Sequence, residues 1–265
     1  MNSTELKMVE TLKELKEGYA VVGVKAEFEA EGTRTEELMR LKEICLAADV
    51  TLTLKIGGCE AVRDMYDARA IGVNYLVAPM VETPFSLQKY LRAAGAVFPK
   101  DEQEEVEFLI NVETLLATEN FPEMLEIPDI RTLDGIVVGR VDLTGSMGLD
   151  RNSANGERIF NITKTLLETA KQHGLSCVVG GAIAVDSLPF LRELPKGSID
   201  RYETRKICFS CPDALGPNAV KGITKAVGFE LLWLLNKRDY YTSISTEDDQ
   251  RIKMLELRFA SENVA

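Results

Sequence analysis

Apolar and polar positions alternate along this chain in two interleaved rhythms. Nearly unbroken apolar runs predict strands at "AVVGVKAEFEA" (20–30), "VTLTLKIGG" (50–58), "NYLVAPMVE" (74–82), "VEFLINVET" (106–114), "LDGIVVGRVDL" (133–143), "LSCVVGG" (175–181) and "IDRYETRKICFS" (199–210). Segments with helical spacing lie around them, at 4–17, 35–48, 60–72, 84–95, 115–125, 156–173, 186–194 and 217–237. Leu6, Val9 and Leu12 line one face of the first, Thr35 is the expected N-cap of the second, and Gly72 is the expected stop of the third. Strands that are apolar on both faces are buried on both, so the alternation predicts a parallel sheet covered by helices.

Such a sheet is either open and doubly wound or closed into a barrel. No GxGxxG follows the first strand, so a dinucleotide fold has no direct support. Polar residues recur instead at strand ends: Lys25 and Glu27, Lys55, Glu82, Glu113, Arg140 and Asp142, and Arg205. A barrel gathers those ends into one mouth, where barrel active sites lie; an open sheet scatters them along an edge. The expected α/β fold is therefore a (β/α)8 TIM-type barrel over residues 1–237. Only seven strands are clear, so one is missing or irregular, its place taken by the N-terminal helix or by a short run such as "AVFP" (96–99). Residues 238–265 form a C-terminal extension whose Ile252, Met254, Leu255, Leu257 and Phe259 suggest a helix packed on a neighbouring subunit.

Charge narrows the partners. With a formal net charge of −11 the chain repels phosphate backbones and anionic lipid, so neither nucleic acid nor a membrane surface is expected. A small anionic substrate then needs a local positive centre, from a metal or focused Lys and Arg side chains. Cys45, Cys59, Cys177, Cys208 and Cys211 are odd in number and sit mostly in apolar runs, which suits free thiols better than disulfides. The CxxC of "ICFSC" has no second pair, and the lone histidine, His173, reads as a solvated helix-end residue; buried thiols fit better than zinc. The N-terminus lacks a signal peptide's apolar core and no run is long enough to span a membrane, so a cytoplasmic protein is expected.

Two segments carry chemistry. "FLINVET" delivers Asn111 and Glu113 at a strand end, and "GIVVGRVDL" opens into Gly139, Arg140, Val141 and Asp142. One strand-end acid usually caps a helix or pairs with a lysine. Two on adjacent parallel strands need a cation or a shared proton, and hard oxygen ligands with open positions suit Mg²⁺ or Mn²⁺.

"INVETLLATENFPEML" followed by "LDGIVVGRVDLTGSMGL" resembles the paired signature of the HpcH/HpaI-type 2-oxo acid aldolase and citrate lyase β-subunit family, and "AIGVNYLVAPMVET" resembles the strand between. The resemblance runs from about Lys55 to Leu149. It implies a (β/α)8 barrel, usually trimeric or hexameric, that binds Mg²⁺, Mn²⁺ or Co²⁺ through Glu113 and Asp142. It implies a substrate 2-oxo acid chelating that metal, its carboxylate held by the N–H groups of Val141 and Asp142, and a metal-stabilised enolate as a carbon–carbon bond breaks or forms.

The departures from that pattern are specific. Arg140 stands where the family has proline, adding a cation that could contact substrate. Lys55 replaces an arginine, keeping charge but losing the bidentate fork. The general-base histidine is absent from "KAEFEAEG"; Glu27 or Glu29 in that stretch is the candidate replacement, with Glu31 on the same face. Arg205 is a further candidate for anion binding, and Lys55 could instead form a Schiff base in a metal-free aldolase. The leading expectation is a metal-dependent carbon–carbon lyase. A relative that processes phosphoenolpyruvate or another carboxylic acid, and a barrel that binds ligand without catalysis, are the alternatives.

Overall fold

The computed structural model describes residues 1–262 and is an eight-stranded closed barrel. The strands are β1 (Val21–Glu27), β2 (Thr51–Lys55), β3 (Tyr75–Ala78), β4 (Glu107–Val112), β5 (Gly135–Gly139), β6 (Ser176–Gly180), β7 (Arg201–Glu203) and β8 (Ile207–Ser210). Their order around the barrel is their order in the chain. β1 to β7 pair in parallel, whereas β8 runs antiparallel to both β7 and β1.

The irregular strand is thus not at 96–99, where the helix Pro84–Val97 ends and Phe98 caps it. The single run expected at 199–210 is instead a hairpin, which supplies both β7 and β8. Thr204 makes the turn, its N–H donating to the Ile207 carbonyl at 2.9 Å and its hydroxyl accepting from the Ile207 N–H at 3.1 Å. A fully parallel sheet was the expectation; the tight turn leaves no chain for a crossover, so β8 can only return antiparallel.

The helices are α1 (Ser3–Tyr19), α2 (Thr35–Ala48), α3 (Val62–Ile71), α4 (Pro84–Val97), α5 (Lys100–Gln103), α6 (Leu115–Met124), α7 (Arg140–Ser146), α8 (Glu157–Gln172), α9 (Leu188–Glu193) and α10 (Ala219–Glu262). The buried face of α1 carries Met8, Val9, Leu12 and Leu15, while Leu6 points to solvent. Arg34 rather than Thr35 holds the N-cap position of α2, and Gly72 ends α3 in the left-handed conformation. The expected helix at 217–237 and the extension merge into the 44-residue α10, about 66 Å long at 1.5 Å per residue. Residues 263–265 of the expected extension lie outside the described residues. From Thr242 to Ala260 every side chain of α10 is exposed, Ile252, Leu255 and Phe259 included.

Period-two alternation sorts the strands into two cores. Outward residues such as Val24, Leu54, Leu76, Ile110, Val138 and Val179 pack under the helices. Inward, Val77, Leu109, Val137 and Val178 form a small apolar plug backed by Tyr75. Above the plug the inward positions on six of the strands are polar or glycine: Lys25 and Glu27, Lys55, Asn111, Gly139, Gly180 and Glu203. All five cysteines are free. His173 caps the C-terminal end of α8, its ring 2.9 Å from the Thr169 carbonyl. No helix among the described residues is long and apolar enough to cross a membrane.

Candidate active site

A cavity of about 280 Å³ opens at the C-terminal ends of the parallel strands. Its wall includes Lys25, Glu27, Glu29, Lys55, Asn111, Glu113, Gly139, Val141, Asp142 and Arg205, which the chain brings from five of its strand ends.

Glu113 lies one residue beyond β4 and is 1% exposed. Its carboxylate accepts from the Met80 N–H at 3.0 Å and from the Asn111 amide at 2.6 Å, with the Lys55 ammonium 3.8 Å away. Gly139 makes room for it: a Cβ there would lie 2.4 Å from Glu113 Oε2 and 2.8 Å from its Cβ. Burial pushes the Glu113 carboxyl above the usual range; Lys55, Asn111 and the Met80 N–H pull it down, and Asp142 adds to the rise. Asp142, in the first turn of α7, is exposed at the same cavity. Met80 adopts φ 50° and Ala182 φ 53°, left-handed conformations uncommon outside glycine, and both flank the mouth.

The opposite wall is an ion-pair network. The Lys25 ammonium lies 2.6 Å from Glu203 and 3.0 Å from Glu27, all three being buried. Lys55 sits 3.2 Å from Glu29. Arg205 approaches Glu27 at 3.6 Å and Glu31 at 3.1 Å, and Lys206 also pairs with Glu31. Burial alone would lower the Lys55 pKa, but Glu113, Glu27 and Glu29 raise it above the ordinary lysine value. A Schiff-base nucleophile must be neutral, so these three carboxylates work against that role for Lys55.

Arg140 is the expected site residue that lies elsewhere. It is fully buried, and its guanidinium donates to the carbonyls of Gly180, Ala154 and Gly181 and to Asn155 Oδ1, over the ring of Phe190. It ties α7 to the loop after β6, so the expected substrate contact by this side chain is corrected to an anchoring role. Burial lowers its pKa to about 10, against the raising effect of Asp186. Glu82 also turns away from the cavity, accepting from the Thr114 hydroxyl at 2.7 Å.

Several cavity residues escaped the sequence reading: Glu203 and Thr204 from the hairpin, Gly180 to Ile183 after β6, Arg151, and Val227 and Glu230 from α10. The Gly-Gly pair closing an apolar strand was the available signal, because consecutive glycines mark a close backbone approach. Gly181 provides one. A Cβ on it would lie 2.7 Å from the Arg140 and Val141 nitrogens, filling the space over the start of α7.

The site fits a divalent cation by its donor set. Glu113 and Asp142 offer hard oxygens, and the buried Asn111 Oδ1 has no hydrogen-bond partner. Four cationic and six carboxylate side chains line the cavity, an imbalance of the size and sign that a divalent ion would neutralise. Among the described residues, no group of three or more His, Cys, Asp or Glu side chains forms a ready-made cage, so remaining ligands would come from water or substrate.

A closed α/β barrel with clustered carboxylates at its C-terminal mouth has the form of a barrel enzyme. The match of its sequence is more particular: a family model for HpcH/HpaI aldolase/citrate lyase covers residues 44–192, more than half of the chain, and the chain belongs to that family. At family level it is a lyase or aldolase of the citrate lyase type. Solved structures share the fold at low identity. The citrate synthase SbnG is 15% identical, with a TM-score of 0.58 over 70% of this chain and 78% of that one. The HpcH/HpaI aldolase of Desulfitobacterium hafniense DCB-2 is 14% identical, with a TM-score of 0.58 over 70% and 78%. A family protein of Burkholderia cenocepacia J2315 is 16% identical, with a TM-score of 0.56 over 70% and 80%. No curated protein matches the sequence. The matched span contains Lys55, Glu113 and Asp142 but neither β1 nor the β7–β8 hairpin, so the Lys25 network lies outside it.

Proposed function

We propose that this protein is a metal-dependent carbon–carbon lyase or aldolase acting on a 2-oxo acid or a related enolisable carboxylic acid. The observation that carries this reading is the buried Glu113 carboxylate, accommodated by Gly139 and facing the cavity it shares with Asp142. Those two residues would hold Mg²⁺, with Mn²⁺ or Co²⁺ as substitutes. A bound divalent cation supplies Lewis-acid polarisation of the 2-oxo acid where negative charge develops.

The chain's own residues account for the remaining roles. Val141 and Asp142 present backbone N–H groups to the substrate carboxylate, in space that Gly181 leaves open. Lys55 places an ammonium near Glu113, where it steadies anionic charge on the substrate. Asn111 orients Glu113 through its amide and keeps its oxygen for a cation or a bound water. Glu27, with one buried oxygen lacking any hydrogen-bond partner, moves the proton that the family assigns to histidine. Glu29 and Arg205 stand at the rim, where the distal half of a small anionic substrate would pass. The exposed apolar residues of α10 support a homo-oligomer, with Ile252, Leu255 and Phe259 covered by another copy.

The test is metal binding and metal-dependent exchange of pyruvate methyl protons in D₂O, measured for Glu113→Gln and Asp142→Asn. Both variants should lose Mn²⁺ binding and exchange together. Full activity in excess chelator refutes the proposal.

A further inference from the structure

Lys25 is a buried cation held between two carboxylates, and it lies outside the span that matches the family. Its ammonium bridges Glu203 Oε1 at 2.6 Å and Glu27 Oε1 at 3.0 Å, and all three residues are less than a tenth exposed. The bridge orients Glu27 asymmetrically. Oε1 is engaged by Lys25, while Oε2 is buried without a hydrogen bond, the Arg205 guanidinium standing off at 3.6 Å, in a residue that lines the cavity. Leaving a buried carboxylate oxygen unpaired is costly, so its natural partner is a donor that enters with the ligand. Glu203 reaches Lys25 because the chain turns back after β7, and the same hairpin holds β1 through the Lys25 N–H to the Lys206 carbonyl at 2.8 Å.

We propose that Lys25 is a positioning residue: clamped by Glu203, it fixes Glu27 so that Oε2, which makes no hydrogen bond, is presented to the substrate as the proton-transferring oxygen. The inference rests on the reading of Glu27 given under Proposed function. A lysine is suited to the clamp because its point charge can serve two carboxylates at once. The groups facing Glu27 are Lys25 on its own strand, Lys55 from β2 and Arg205 from the hairpin, with Glu203 beyond Lys25 and Glu31 beyond Arg205. Burial raises the Glu27 carboxyl, but Lys25, Lys55 and Arg205 outweigh it and hold the group below the usual range.

The test uses Lys25→Met and the charge-balanced Lys25→Met/Glu203→Gln double variant, which removes one cation and one anion and so leaves the net charge of the cluster unchanged. Two measurements are made on the full-length protein. The first is the Glu27 side-chain carboxyl titration by ¹³C NMR, in metal-free protein. The second is Mg²⁺-dependent exchange of pyruvate methyl protons in D₂O as a function of pH. In the double variant, Mn²⁺ affinity should stay within a few-fold of wild type. The Glu27 midpoint should rise, and the acid limb of the exchange profile should move up with it. Exchange at neutral pH should fall about 10- to 100-fold, part of the range that a positioned base contributes. An unchanged Glu27 midpoint overturns the proposal, and so does an unchanged exchange rate with an unmoved acid limb. If wild-type protein catalyses no exchange, the proposed function fails, while the Glu27 midpoint still decides whether Lys25 controls that carboxyl.

Discussion

Gly139→Ala isolates the geometry of the proposed metal site from its ligands. The residue sits at φ −85° and ψ 87°, which alanine can adopt, so any effect is steric. The added Cβ meets Glu113 Oε2 at 2.4 Å, Cβ at 2.8 Å and Cδ at 3.4 Å. Rotating the carboxylate relieves the first contact only. The contact with Glu113 Cβ requires the end of β4 or of β5 to move, and β5 is held by its pairing with β6 up to Gly139–Gly180. Overpacking of this kind costs about 1–3 kcal/mol. The loss of unfolded-chain entropy on replacing glycine returns about 0.4–1 kcal/mol. A net loss of about 1–2 kcal/mol lowers the melting temperature by roughly 2–8 °C in a protein of this size. The functional effect is larger, because displacing even a supporting group of a metal site typically weakens affinity by about 10- to 100-fold. Mn²⁺ titration followed by electron paramagnetic resonance, with a metal-free melting curve, measures both. Gly145→Ala is the control: its Cβ meets nothing within 4 Å, so it should retain wild-type affinity. Wild-type Mn²⁺ affinity in Gly139→Ala would refute the argument that Gly139 exists to seat Glu113.

Two further outcomes follow from the same site. The Glu113 carboxyl is raised by burial, so in metal-free protein it binds a proton more tightly folded than unfolded, and its contribution to stability declines as pH rises from the ordinary carboxylate range through the raised value. A metal ion must displace that proton, so the rise in melting temperature produced by Mn²⁺ should grow as pH rises from the ordinary carboxylate range through the raised value; a constant shift counts against Glu113 as a ligand. Arg140→Met removes the donors to Gly180, Gly181, Ala154 and Asn155 and should destabilise the fold by about 2–4 kcal/mol, read as a shift of the urea midpoint. Unchanged stability with altered substrate preference would instead return Arg140 to the substrate side.

Much of the barrel is legible in the chain because each of its first five strands announces itself twice, by an apolar run and by a polar residue at or just beyond its end. Glu113 and Asp142 were readable on that basis, since parallel strands in one sheet must bring their C-terminal ends to one rim. Arg140 was misread because a strand-end cation looks the same whether it faces the cavity or the loop behind it. The direction is set by the start of α7, which turns the side chain onto the carbonyls after β6. Glu203 was missed because 199–210 reads as a single strand, and nothing local marks Thr204 as a turn.

The sequence by itself determined the class of the fold, the mouth as the place for chemistry, and the paired carboxylates, because these depend on periodicity and on which residue ends each strand. Only the tertiary structure decided that β8 runs backwards, that Arg140 is an anchor, and that Lys25, Glu27 and Glu203 share one buried charge network. These are long-range matters. Lys25 and Glu203 are 178 positions apart in the chain. Whether two charges so separated attract, or are merely solvated, depends on barrel closure and on the water it excludes.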